Sequence, residues 1–380
     1  MKSTLVLSIF MAAGVVAALA PTRAVAQQPD NFTVYAAGLE GPRGLRFGPD
    51  GYLYVAEAGT GGTHSTAGTC QQVPGPPGGP GPYIGGPNAR ISKISRNGTR
   101  TTVASGFPST VAPNAGAVIG VADVAFLDGT LYALVAGGGC SHGNPNSPSG
   151  IARVDRNTGK WSLIADIGDY LKTHPTKYES PDDFEPDGTL YSMITVGDHL
   201  YTIEPNHGEM LSVSTSGKIS LVIDISASQG HIVPTSVAEW RGSFYVGNLN
   251  LFPIDPQWAR VQTISKGGDD DDFAPGFEID PSSYHIVNSK AGFTTVVAVD
   301  FGPDGSLYVL ELSDAPGNPT LGAGKVVRVK KSGEIEEVIT GLSVPTGMTF
   351  GPDRALYISN FGAAPAGAGQ ILRFDIPLDW

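Results

Sequence analysis

An all-β fold, a six-bladed β-propeller, follows from three features of this 380-residue chain: a recurring strand–turn–strand motif, an excess of glycine and proline, and matching segments at the two ends. Gly 51 and Pro 30 make up about a fifth of the chain, and charged residues are 16%, against the usual quarter or so. This excludes a coiled coil or helical bundle, and 41% hydrophobic residues exclude general disorder, so the glycine and proline belong to turns between many short strands.

The motif is Gly48-Pro49-Asp50-Gly51-Tyr52-Leu53-Tyr54-Val55, repeated as Gly302-Pro303-Asp304-Gly305-Ser306-Leu307-Tyr308-Val309 and as Gly351-Pro352-Asp353-Arg354-Ala355-Leu356-Tyr357-Ile358. Looser copies run from Leu127 to Tyr132 and from Trp240 to Tyr245. Pro-Asp-Gly supplies turn dihedrals between two β-rich runs, so each copy is a hairpin. A second hairpin follows each after a variable gap, around Asn97-Gly98, Asn157 to Gly159, Ser216-Gly217 and Ser332-Gly333. Two hairpins make a four-stranded blade, and second strands at Leu53, Leu131, Leu200, Phe244, Leu307 and Leu356 count six. Leu190-Tyr191 and Leu200-Tyr201 cannot both be second strands, which makes Tyr191 to Val196 a first strand with Gly197-Asp198 as its turn.

Gly38 to Leu45 mirrors Gly341 to Met348, so Phe32 to Leu39 is expected as the outer strand of a blade completed at the C-terminus. Such a shared blade closes the ring without an open edge, and residues 27–380 form one propeller domain. Residues 1–26 read as a cleaved signal peptide: Lys2, an apolar run from Leu5 to Ala20, then Ala24-Val25-Ala26 before Gln27. Its removal takes the formal charge from −12 to −14. The product is expected to be a secreted or periplasmic monomer with no membrane span. Acidity and the lack of a Lys/Arg cluster argue against nucleic acid as a partner. In an exported chain Cys70 and Cys140, from equivalent loops of neighbouring blades, are expected to pair.

Hairpins joining first to second and third to fourth strands share one face of a propeller, and here they are short. The long connections at 59–89, 137–149, 169–188, 226–234, 267–283 and 312–323 are assigned to the opposite face, which becomes the candidate site face. At the fifth position of the second strands stand Glu57, Val135, Glu204, Asn248, Glu311 and Asn360. Five oxygen-bearing side chains around one mouth suit a single divalent cation, calcium first, with magnesium, manganese or zinc as the others. The competing role is capping of loop N–H groups at strand ends. His64, His142, His207 and His231 map to the same face; His207 could serve as general base or ligand, but no spacing links the four, so each reads as a solvent-facing loop residue. Tyr83 and Ile84 in the Pro/Gly-rich stretch 74–87 read as contact residues, and Asp269 to Asp272 as a solvated acidic loop. No Gly-x-Ser-x-Gly elbow is present.

The Leu-Tyr-Val-Ala-Glu strand, the Glu204-Pro205-Asn206-His207-Gly208-Glu209 segment and the Phe-Gly-Pro-Asp-Gly repeats resemble the secreted ScyD/ScyE propeller family across nearly the whole mature chain. That resemblance implies the fold and no agreed reaction. More distantly the blades are similar to NHL repeats and to gluconolactonase-type lactonases, six-bladed enzymes with one divalent cation at the channel mouth. Glu40-Gly41-Pro42 and the Glu57-type positions match that pattern; Thr346-Gly347, Arg43-Gly44 and Thr235-Ser236 stand where the resemblance expects Asn-Gly.

Two readings stay open. In one, a cation polarises a lactone or ester carbonyl while Glu57, Glu204 or His207 takes a proton from water. In the other, the long loops bind a protein or glycan and the ring is structural. A quinone-dependent sugar dehydrogenase lacks a recognisable basic cofactor-holding cluster.

Overall fold

The computed structural model describes residues 32–75, 79–113, 116, 118–181, 183–267 and 283–377. The signal peptide and Asp269 to Asp272 lie outside the described residues. Six antiparallel sheets form the blades of a propeller, each running from an inner strand at the axis to an outer strand at the rim. Blade 1 is Pro42–Phe47, Leu53–Glu57, Ile84–Ile94 and Arg100–Val111; blade 2 is Val121–Leu127, Thr130–Val135, Gly150–Val154 and Trp161–Asp166. Blade 3 is Met193–Val196, His199–Glu204, Glu209–Ser214 and Ile219–Asp224; blade 4 is Pro234–Trp240, Ser243–Asn248, Ala259–Lys266 and Tyr284–Phe293. Blade 5 is Val296–Phe301, Leu307–Glu311, Gly324–Val329 and Ile335–Leu342. Blade 6 takes Gly347–Phe350, Leu356–Asn360 and Gly369–Phe374 from the C-terminal end, and its outer strand is Phe32–Leu39, with Phe32 opposite Phe374. The ring closes as the matching end segments predict.

The repeated turn motif has a physical task. In three blades the second-strand tyrosine donates its hydroxyl to the turn aspartate: Tyr54 to Asp50 at 2.7 Å, Tyr308 to Asp304 at 3.0 Å and Tyr357 to Asp353 at 3.0 Å. The tyrosine ring thereby lies over the first glycine of the motif, where a Cβ on Gly48, Gly302 or Gly351 would approach a ring carbon to 2.7, 2.4 or 2.6 Å. Each ring then meets, edge to face, a phenylalanine at or next to the end of the next inner strand: Tyr54 with Phe126, Tyr308 with Phe350 and Tyr357 with Phe47, at centroid distances of 5.0, 4.9 and 5.0 Å. Tyr245 and Phe301 repeat the contact between blades 4 and 5.

Strand connectivity corrects one loop assignment. Residues 267–283 join the third strand of blade 4 to its fourth, which puts their ends on the hairpin face. The loop-face connection of that blade is 249–258, bridged to the 312–323 loop through Ile254 and Gly317. Replacing Gly302 with Ala should lower unfolding stability by about 1–3 kcal/mol through overpacking against Tyr308, readable in urea denaturation.

Candidate functional site

The five strand-end oxygens occupy equivalent positions, and each is already engaged in its own blade. Glu57 accepts the Glu40 amide at 2.7 Å, Glu204 that of Thr189 at 2.8 Å, Glu311 that of Thr294 at 2.9 Å and Asn360 that of Ser343 at 2.8 Å. Each amide lies where the chain enters the inner strand of the same blade. Asn248 reverses the polarity, donating to the Ile232 carbonyl at 3.0 Å and accepting from the Arg260 amide at 2.9 Å. Glu57 further accepts from Ser92 and faces the guanidinium groups of Arg90 and Arg100 at 3.3 and 3.5 Å. A carboxylate so paired has little capacity left for a cation, and among the described residues no group of three or more His, Cys, Asp or Glu is placed to hold a metal ion. The five residues do not fit a shared divalent-cation site; the strand-end capping role describes them.

What the loop face does assemble is a set of buried histidines and carboxylates around residues 183–187. Acids alternate there, and each meets a base from a different part of the ring. Asp183 receives His231 Nε2 at 2.7 Å, Glu185 lies 3.1 Å from His142 Nε2, and Asp187 holds Lys172 Nζ at 2.8 Å and the Ser141 amide at 2.7 Å. Tyr83 of blade 1 reaches Glu185 at 3.4 Å, and Asn206 donates to the Asp183 carbonyl at 2.9 Å. The backbone here is a bend followed by a tight turn, the Gly188 amide donating to the Glu185 carbonyl at 2.8 Å, and this one short segment gathers partners from the loops of blades 1 to 4.

His142, His207 and His231 are thus buried or nearly so rather than solvent-facing; His64 alone of the four is exposed, its Nδ1 2.6 Å from the Gly143 carbonyl. Tyr83 is fully buried and makes no surface contact. His142 donates from Nδ1 to the Gly138 carbonyl at 2.6 Å, so the proton between Nε2 and Glu185 is what the pair titrates. Burial raises the Glu185 carboxyl against the opposing pull of His142.

Glu204 and His207 form the second element. The turn after the second strand of blade 3 brings the His207 amide to 2.6 Å and its Nδ1 to 2.9 Å from Glu204 Oε2. Burial raises the Glu204 carboxyl, but the His207 charge and hydrogen bonds from His207 and Thr189 outweigh it and hold the group below its ordinary value. Burial likewise opposes the imidazolium of His207, yet Glu204 with Glu209 and Glu179 lifts it to about 9. Glu209, buried beside Glu204, is pushed up to about 8.

Next to this pair lies a cleft of about 370 Å³, walled by Leu171, Pro175, Phe184 and the Cys70–Cys140 disulfide, with Lys172, Glu179, Asp187 and His207 as its charged groups. The disulfide ties the blade 1 and blade 2 loops as expected. Lys172 sits on a short helix, Ile167–Thr173, whose first turn is capped by Asp166 accepting from the Asp169 amide. His207 Nε2 lies 3.7 Å from Glu179 Oε1, and both residues line the cleft.

The fold and this loop face define the class: a six-bladed propeller carrying a buried histidine–carboxylate cluster. Solved structures of similar fold include a glucose dehydrogenase-type oxidoreductase from Thermus thermophilus, 16% identical with a TM-score of 0.52 over 90% of this chain and 98% of that one. A calcium-binding regucalcin from Agrobacterium tumefaciens is 12% identical with a TM-score of 0.52, covering 93% and 96%. A PQQ-bound aldose sugar dehydrogenase from Streptomyces coelicolor is 13% identical with a TM-score of 0.53, covering 94% and 100%. At these identities the likeness is one of fold. No family model matches the chain, and no curated protein matches it in sequence.

Two outcomes follow. Asn360→Ala should cost about 1–3 kcal/mol by stranding the Ser343 amide, with bound metal unchanged by elemental analysis. His207 and Glu209 both hold protons more tightly when folded, so stability should fall as pH rises from their ordinary values to about 8 for Glu209 and about 9 for His207. Glu209→Gln should flatten the part of that fall between its ordinary value and about 8 in melting curves.

Proposed function

We propose that this propeller binds a small organic molecule in the loop-face cleft and performs acid–base hydrolysis of an ester or lactone carbonyl there. The observation that carries the reading is His207, fixed through Nδ1 by Glu204 and lining the cleft beside Glu179. An imidazolium that persists at neutral pH is a proton donor, so His207 acts as the acid and Glu179 as the base. Glu179 takes a proton from water, the oxygen adds to the carbonyl carbon, and the leaving alkoxide departs with the proton of His207. Glu204 orients the imidazole and stabilises its charge. Leu171, Phe184 and the disulfide supply apolar wall. Calcium, which the similar regucalcin binds, has no part in this chemistry, because the donors expected for it cap backbone amides.

A second reading, a non-catalytic glycan- or protein-binding module, is favoured by one observation: Trp258 on the loop-face connection of blade 4 is 65% exposed. An exposed indole is a platform for a sugar face or a protein side chain. The Cys70–Cys140 disulfide and the leader-like residues 1–26 support a secreted or periplasmic monomer. The quoted motifs support membership of the ScyD/ScyE-type propellers.

Screening the mature chain against lactones and aryl esters separates the readings. His207→Gln should lower kcat by about 10²–10⁴-fold with KM little changed, whereas Trp258→Ala should leave turnover intact. Glycan or protein capture lost in Trp258→Ala, with no hydrolysis of any ester tested, would replace the first reading by the second.

A further inference from the structure

The axial channel is narrow toward the loop face and wide on the other. At its loop end, Arg43 is buried between blades and donates to the Val118 carbonyl at 2.6 Å, and the space beside it and Tyr191 is about 10 Å³. Midway, past Asp123 and Ser236, it is about 30 Å³. At the hairpin face, where the inner strands end, it widens to about 320 Å³. Successive segments share lining residues, Tyr191 and Thr346 above, Arg46 and Val237 below, so they form one tapering funnel.

The chemistry of the funnel is uneven. Its mouth has the rings of Phe47 and Phe126 and the side chains of Ile194 and Val299 as apolar wall. Arg46 is the one basic residue lining the mouth, Arg43 lying at the loop end, and it acts on two carboxylates, buried Asp123 at the neck and half-buried Asp300 at the mouth. Asp123 spends its oxygens on the Val124 and Met193 amides, both at 2.8 Å; Asp300 accepts from the Phe301 amide at 2.9 Å and more loosely from the Phe350 amide at 3.4 Å. Glu239 adds a third carboxyl at the mouth, one oxygen of which takes the Gly242 amide at 2.7 Å. At the mouth two acids thus face one base. Ser236 Oγ, on a side chain 2% exposed, lines the neck with no hydrogen-bond partner among the described residues.

We propose that the hairpin-face mouth of the channel is a second ligand site, separate from the loop-face cleft, that takes a small organic monocation: an ammonium group at Glu239 and Asp300 with an aromatic or aliphatic body between Phe47 and Phe126. The excess of carboxylates selects positive charge, and the phenylalanine rings favour both an apolar body and a neighbouring cation. The narrow loop end makes the short-hairpin face the wide entrance to the funnel.

Three probes of one shape and different charge test this on the full mature chain by ligand-observed NMR titration: benzylamine, benzyl alcohol and benzoate. Benzylamine should bind, benzyl alcohol more weakly and benzoate least. Glu239→Gln, which keeps the acceptor for Gly242, should weaken benzylamine about tenfold. Thr195→Trp, at a half-buried position of the mouth, should abolish binding by filling it. His207→Gln on the other face should leave it unchanged, which keeps the result independent of the proposed hydrolysis. Equal binding of the three probes, no binding of benzylamine, binding indifferent to both mouth variants, or its loss in His207→Gln would each overturn the proposal.

Discussion

The hydroxyl that a second-strand tyrosine gives to the aspartate four residues before it is the contact on which the ring depends. It fixes a flat, rigid ring at the blade surface. The phenylalanine of the next blade then has one place to pack, so each contact sets both spacing and angle between neighbouring sheets. A closed ring tolerates little error in that angle, because every blade inherits the errors of those before it. Phe47 and Phe126 serve twice: one side of each packs between blades, and each also lines the mouth of the axial funnel. The dimensions of that mouth are a by-product of how blades are spaced.

The loop face obeys a different logic. Its polar cluster draws on the connections of blades 1 to 4, and the segment 183–187 is its hub. Buried carboxylates are costly unless paired, and here nearly every partner comes from another loop. Loops that would otherwise vary independently are therefore coupled through charge. The disulfide adds a covalent tie between two of them, at the wall of the same cleft. Catalytic groups placed on such a hub are held by several blades at once, which is the support a preorganised site needs.

The fold was legible because its signals are local. Gly-Pro-Asp-Gly followed by Leu-Tyr encodes turn, glycine clearance and tyrosine within eight residues. The strand-end series was legible as a position and not as a role: the amide that Glu311 caps lies 17 residues back, and a carboxylate aimed at an amide looks in sequence like one aimed at a cation. The segment 183–187 escaped notice as a site because it was set down only as part of the long connection 169–188. The signal available was three acids within five residues, Asp183, Glu185 and Asp187, on the face where His142 and His231 also lie. Loop 267–283 was misplaced because it was sorted by length, whereas face is decided by which strands a loop joins. His207 was legible as a candidate through the Glu204 to Glu209 segment, but its burial was not, because the turn that folds its ring back onto Glu204 is a contact in space.

The strand Phe32–Leu39 has a further consequence, for the timing of folding. It is the first part of the propeller to be synthesised, and its pairing partner, Gly369–Phe374, is nearly the last. Until that partner appears, Phe32–Leu39 has no strand to pair with and the sealing blade stops at Leu356–Asn360. The most non-local strand pairing among the described residues must form at the end, and contacts of that kind are slow to find. The ring is therefore an open arc until its first strand meets its last.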